Sequence, residues 1–206
     1  MNIRLRFLLI FFTLVVTVSV SLFAVDTCVL SNQESRRDRN TQPERVMDII
    51  GVKPGMVIGE AGAGTGYFTM KLASRVGDSG HVYANDINEK SLRTLKQRAE
   101  DRNLENITTI IGEVTDPLFP DGSLDLVMMV YAIHDFEEPV EFLENLKADL
   151  KENATVVVLD QDPAKTGSSH FLKFDRLRSI FNEAGYELVK KEDFLERDLL
   201  CIFRLK

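Results

Sequence analysis

Three groups of side chains in this chain have the types and spacing to do chemistry. The first is Glu60 with glycines at Gly62, Gly64 and Gly66, inside M-V-I-G-E-A-G-A-G-T-G-Y-F-T-M-K-L-A over Met56–Ala73. A short apolar run, a glycine turn and the opening of a helix make a nucleotide-binding geometry. Glycine lets the backbone turn tightly against a ligand, and a helix N-terminus offers free N–H groups. The second is Asp86, which closes H-V-Y-A-N-D roughly 20 residues further on, where a carboxylate can accept two ribose hydroxyls at once. Its ordinary alternative is a cap for the following helix. The third is His134-Asp135, which follows the apolar run L-D-L-V-M-M-V. Histidine titrates near neutral pH, so this pair is a candidate for acid–base work or substrate contact; a loop His beside a capping Asp reads equally well.

The spacing narrows the nucleotide. A dinucleotide fingerprint, G-x-G-x-x-G, would place glycine at position 67, which is Tyr67. No G-x-x-x-x-G-K-[ST] phosphate loop is present either.

The elements that must carry these groups alternate. Thr41-Gln42-Pro43-Glu44 reads as a capping box opening a helix to about Ile50, stopped by Gly51. A strand over Met56–Ile58 leads into the glycine loop, and helix continues over Tyr67–Val76. Strands at His81–Ala84, Ile107–Ile111 and Leu124–Val130 follow, with an amphipathic helix over Asn88–Arg102 between the first two. Leu124–Val130 is almost continuously apolar, as a central parallel strand is when helices cover both faces; Asp125 is its exception. Further on come a helix from Glu138 to about Leu150, a turn over Lys151–Ala154 and a strand over Thr155–Asp160. Asp160-Gln161-Asp162 end that strand on the site edge and read as a loop cap in preference to a substrate contact, and Phe171–Ala184 reads as a helix. Tyr186–Leu195 and Leu199–Leu205 then form an antiparallel hairpin.

At 206 residues and 44% hydrophobic content the chain can bury one good core. A formal net charge of −7 with no Lys/Arg-rich tract makes nucleic acid a poor partner. Cys28 and Cys201 lie far apart with no metal-ligand spacing, no metal site is expected, and Cys201 reads as a buried thiol.

The N-terminus reads as a targeting segment. Arg4 and Arg6 precede Phe7–Val25, which carries no charge, and Ser19-Val20-Ser21 offers a small-x-small cleavage point. The run is also long enough to remain as an uncleaved anchor. Acylation at Cys28 fits poorly because Asp26 and Thr27 flank it. Arginines on both sides, Arg36, Arg37 and Arg39 among them, leave the orientation open. Residues 1–25 are therefore read as signal peptide or anchor, 26–40 as linker and 41–206 as the globular domain.

E-x-G-x-G-x-G after a first strand, acids at Asp86 and Glu113 closing the second and third, and the terminal hairpin together resemble the class I S-adenosylmethionine-dependent methyltransferases. The resemblance implies a three-layer Rossmann-like sandwich, with a seven-stranded, mostly parallel sheet ending in an antiparallel hairpin. It implies S-adenosylmethionine held by Glu60, Ala61, Gly62, Gly64, Gly66, Asp86, Ile87, Gly112, Glu113 and Tyr131, with Glu113 toward the adenine amino group. The family more often has Asp at that position, and often Lys-Pro-Gly-Gly where this chain has Lys151–Ala154. The implied activity is methyl transfer; the acceptor is not readable from the motifs, and a small-molecule or lipid-soluble one is expected mainly from the N-terminal apolar segment. Two other readings are a non-catalytic, membrane-tethered S-adenosylmethionine-binding module and an NAD(P)-dependent oxidoreductase.

Overall fold

The computed structural model describes residues 34–206. The expected targeting segment, with Phe7–Val25 and Cys28, lies outside them. Among the described residues no helix is long and apolar enough to cross a membrane. The chain divides into two units, residues 1–39 and Asn40–Lys206. Residues 34–41 are helical, where the sequence reads as linker up to residue 40.

In the second unit, α1 (Pro43–Ile49) precedes β1 (Val57–Ala61), α2 (Thr69–Val76), β2 (His81–Asp86), α3 (Glu89–Asp101), β3 (Ile107–Ile111) and β4 (Leu124–Val130). Then come α4 (Pro139–Asn145), β5 (Leu150–Gln161), the short α5 (Pro163–Thr166), α6 (Phe174–Glu183), β6 (Tyr186–Glu192) and β7 (Asp198–Leu205). The seven strands form one sheet in the order β3-β2-β1-β4-β5-β7-β6. The first five run parallel; β7 is antiparallel to both β5 and β6. The chain winds outward from β1 through β2 to β3, then returns to β4 on the other side of β1. The strand order therefore reverses between β1 and β4, and ligands of open α/β sheets bind outside the strand ends at such a point.

Both sheet faces are apolar because side chains alternate along each strand. Val127 and Met129 of β4, with Val156 and Val158 of β5, pack with Phe142, Leu143, Leu177, Ile180 and Phe181 of α4 and α6. Leu126 and Met128, with Val157 and Leu159, pack on the other face with Val46 and Met47 of α1 and Leu72 and Val76 of α2. Each such burial contributes about 1.5–3 kcal/mol.

Local chemistry departs from the sequence reading in three places. Gln42, in a left-handed conformation (φ 43°), is the N-cap of α1 without a side-chain cap bond. Thr41 instead shares a buried 2.8 Å hydrogen bond with the Tyr67 hydroxyl, so the capping box does not form. The segment 151–154 is the irregular start of β5, not a turn. Pairing with β4 shifts between Leu124 and Leu126, and Asn153 takes φ 67°, a conformation asparagine tolerates. Helix α4 ends at Asn145 and continues as a 3₁₀ turn over Leu146–Asp149. Asp125 ties strands together: its carboxylate accepts from the Val57 N–H and from Lys151 Nζ, both at 2.8 Å. Cys201 is fully buried, which pushes its thiol up to about 12.

Candidate functional site

The C-terminal edge of the sheet collects the residues singled out by spacing. The register aligns Ala61 with Asn85 and Val130 with Leu159, so β1, β2, β4 and β5 deliver the residues that follow them to one rim. A cavity of about 310 Å³ opens there, lined by Gly62, Gly64, Asp86, Ile87, Glu113, Tyr131 and Asp135 among the expected residues. Asn85, Val114, Ala132, Phe136, Glu137 and Phe142 complete the wall. These six have no motif spacing of their own; only the fold gathers them.

Gly64 (φ 54°) has nothing within 4 Å of where a Cβ would stand, and it faces the open cleft. Its N–H donates to Asp86 Oδ2 at 2.8 Å, while Asp86 Oδ1 accepts from the Asn88 N–H at 2.8 Å. Asp86 thus braces the glycine loop, and Asn88, not Asp86, caps α3 by accepting from the Ser91 N–H. A carboxylate has room for further donors beyond these two. The cradle without side-chain bulk and the acceptor at its rim fit the ribose and methionine parts of S-adenosylmethionine.

Four expected residues stand behind the cleft wall. Ala61 is fully buried, and a Cβ on Gly112 would sit 2.0 Å from Asn85 Nδ2. Gly66 (φ 83°) lets Leu95 and Met70 approach within 2.7 and 2.9 Å of a Cβ position, so this glycine serves helix packing. Glu60 is 2% exposed and accepts a hydrogen bond from the Thr69 hydroxyl. Burial pushes its carboxyl up to about 8; the Thr69 bond opposes the rise and the charge of Asp86 adds to it.

Gly62 and Gly64 separate strain from space. Both need a left-handed backbone, but a Cβ at Gly62 (φ 73°) would lie 2.4 Å from Ala132 Cβ. Gly62→Ala therefore adds overpacking of about 1–3 kcal/mol to the backbone strain of about 1–2 kcal/mol that Gly64→Ala carries alone. Calorimetry should show a Tm loss of roughly 5–15 °C for the first and less than half of that for the second. Equal losses would contradict the packing described here.

Tyr131 leaves β4 with φ 51°, an unusual conformation for a bulky residue that recurs at functional sites. Its N–H bonds the Leu159 carbonyl at 2.9 Å, and its hydroxyl donates to Asp198 Oδ2 at 2.5 Å. Burial raises the Asp198 pKa, against the Tyr131 bond, and nearby Asp160 adds to the rise.

His134 lies beside the cleft in a 3₁₀ turn over Ile133–Asp135 and does not line the wall. Its Nδ1–H donates to Asp160 Oδ2 at 2.8 Å, with both side chains 5% exposed. Asp160 is therefore a histidine partner rather than the loop cap expected; Asp162 does that work, accepting from the Ala164 N–H. Burial would lower the His134 pKa, but the Asp160 bond and the charges of Asp160 and Asp135 outweigh it, so the net shift is upward. His170 and Phe171, from the segment between α5 and α6, cover the ring at centroid distances of 4.8 and 4.5 Å. The sequence spacing of His134, Asp160 and His170 carried no signal that they meet.

Tyr67, at the position where a dinucleotide site has glycine, is buried in the core. The whole arrangement is that of a mononucleoside cradle with a partly apolar chamber beside it.

Comparison with known proteins agrees. The chain is 33% identical over 111 residues to a 2-phytyl-1,4-naphtoquinone methyltransferase of Trichormus variabilis, covering 53% of this chain and 48% of that protein. It is 24% identical over 172 residues to a demethylmenaquinone methyltransferase of Bacillus mycoides, covering 78% of this chain and 73% of that protein. The chain spans about half the length of several curated relatives it matches. A SAM-dependent methyltransferase structure from Aquifex aeolicus shares the fold with a TM-score of 0.77 at 24% identity, covering 81% of this chain and 91% of that one. A family model described as "Methyltransferase domain" matches residues 52–191, from the turn before β1 into β6. With that match over most of its length and S-adenosylmethionine as its cofactor, the chain belongs to this methyltransferase family.

Proposed function

We propose that the chain transfers a methyl group from S-adenosylmethionine to a small, lipid-soluble acceptor, a hydroxylated aromatic of the quinol class. The observation that carries this reading is the cleft itself, where glycines and carboxylates share the wall with apolar Ile87, Val114, Ala132, Phe136 and Phe142. Apolar walls of this size suit a flat ring better than a charged acceptor. The names of the curated relatives, a naphtoquinone and a demethylmenaquinone methyltransferase, point the same way.

In this reading Asp86 accepts the ribose hydroxyls, Gly62 and Gly64 let the backbone lie against the ligand, and Glu113 accepts from the adenine amino group. Gly66 and Glu60 hold the loop from behind, and Tyr131 fixes the far wall. The cofactor supplies an activated methyl on a sulfonium. The chain's own contribution is chiefly to hold an acceptor atom in line with that methyl and to keep water out. Asp135 lines the cleft where an acceptor hydroxyl would lie, with His134 beside it outside the wall.

Incubating the chain with methyl-labelled S-adenosylmethionine and a reduced, unmethylated naphthoquinone should place label in the organic extract. Tight cofactor binding with no transfer to quinols or to any lipid extract would instead favour the binding-module reading. Binding of NAD without S-adenosylmethionine would favour the oxidoreductase.

The reading includes a membrane location, because Phe7–Val25 is uncharged and follows Arg4 and Arg6. A reporter fused to the C-terminus should fractionate with membranes or be exported. An unchanged distribution after deletion of residues 1–25 would reject targeting by that segment.

A further inference from the structure

We propose that His134, Asp135 and His170 form a binding site for one divalent transition-metal ion of the zinc class, open toward the acceptor side of the cleft. One ligand atom from each of the three lies within 4.8 Å of the others. His134 Nε2 is 3.5 Å from Asp135 Oδ2, and His170 Nε2 is 3.8 Å from Asp135 Oδ1. Ligands about 2.0–2.2 Å from a tetrahedral zinc stand roughly 3.4 Å apart, so small movements complete the set. Those movements fall on Asp135 and His170, whose side chains are 68% and 62% exposed.

A second observation is independent of the cluster. Asp160 is buried at the end of β5 and holds His134 Nδ1–H, its other oxygen accepting from the Gln161 N–H at 2.8 Å. With Nδ1–H committed to Asp160, Nε2 is the nitrogen turned toward Asp135 and the one that would ligate, its proton displaced by the ion. A carboxylate behind a histidine whose far nitrogen faces other ligands is the outer-shell arrangement that orients metal-binding histidines. Asp135 and Asp160 bring two carboxylates to the site, the number that would balance a dication. Two imidazoles and one carboxylate suit zinc, iron, cobalt or nickel rather than calcium or magnesium, which take mostly oxygen. Three protein ligands leave a position open, as in sites that bind a reactant.

Asp135 also lines the cavity with Gly62 and Tyr131, so an ion held by its carboxylate would stand at the rim of the cleft. There an ion would coordinate an acceptor hydroxyl and lower its pKa, the proton leaving to solvent. This role rests on the methyl-transfer reading; binding of the ion does not.

The test uses cobalt(II) as an optical probe on the full chain, stripped with chelator and carrying no polyhistidine tag. One cobalt per chain, with visible absorption bands of a low-coordinate site, is the expected result. His170→Ala should weaken binding at least 100-fold and Asp160→Asn about 10- to 100-fold. Both variants should keep the wild-type circular dichroism and S-adenosylmethionine affinity. Cobalt affinity unchanged in His170→Ala, or no stoichiometric binding by the wild type, would overturn the site. A site that binds cobalt as described while quinols are not methylated would leave the metal assignment standing and reject only the acceptor class.

Discussion

Asp86→Ala should weaken S-adenosylmethionine binding at least 100-fold while leaving the domain folded. The carboxylate does two things at once. It accepts the Gly64 and Asn88 N–H groups at 2.8 Å, holding the loop against the end of β2, and it lines the cleft with its remaining acceptor capacity. Hydrogen bonds to a charged group contribute about 1.5–3 kcal/mol each, so loss of two ribose contacts costs about 3–6 kcal/mol. At 1.4 kcal/mol per tenfold, that is roughly 10²–10⁴ in affinity. Asp86→Asn keeps one acceptor oxygen and should fall between the two. Titration calorimetry on all three proteins checks the order, with circular dichroism as the folding control. Wild-type affinity in Asp86→Ala would remove the ribose assignment.

Glu60→Gln should change how stability depends on pH. Burial places the folded-state pKa of Glu60 at about 8, against 4.5 for the free side chain. Below about pH 4.5 both states hold the proton and there is no penalty. Between 4.5 and 8 the unfolded chain has released a proton that the folded chain retains. Stability therefore falls as pH rises through that window, and above it the loss levels off at on the order of 5 kcal/mol. Glutamine keeps the shape and the acceptor for Thr69 but does not titrate. The Tm of Glu60→Gln relative to wild type should therefore climb by several degrees from pH 5 to pH 9. A pH-independent difference would contradict the account. Asp149 acts in the same direction. It is buried, its Oδ2 has no hydrogen-bond partner among the described residues, and burial, with Asp116 and Asp121 nearby, pushes it up to about 7. Asp149→Asn should flatten the remaining slope between about pH 4 and 7.

The sheet was legible because the parallel strands are built around short apolar runs between turn residues. Ile107–Ile111 and Leu124–Val130 are strands over those very bounds. The cradle was legible for the same local reason: Gly62, Gly64 and Asp86 lie at the ends of adjacent strands, so spacing along the chain translates into proximity. Where one residue had two possible partners, the sequence reading failed. Thr41 could cap α1 or bond Tyr67 across the core, and only packing of α1 against the sheet decides for Tyr67. Asp160 could cap a loop or hold His134, and the β4–β5 register decides for His134. His170 reaches the site from a segment with no periodicity to place it.

The most direct measurement of the central claim is a crystal structure of the chain soaked with S-adenosylhomocysteine. The account predicts both ribose hydroxyls within hydrogen-bond distance of Asp86 and the adenine beside Glu113. It also predicts the sulfur at the Gly62–Tyr131 end of the cavity, facing Asp135. A ligand bound elsewhere, or ribose turned away from Asp86, would contradict it.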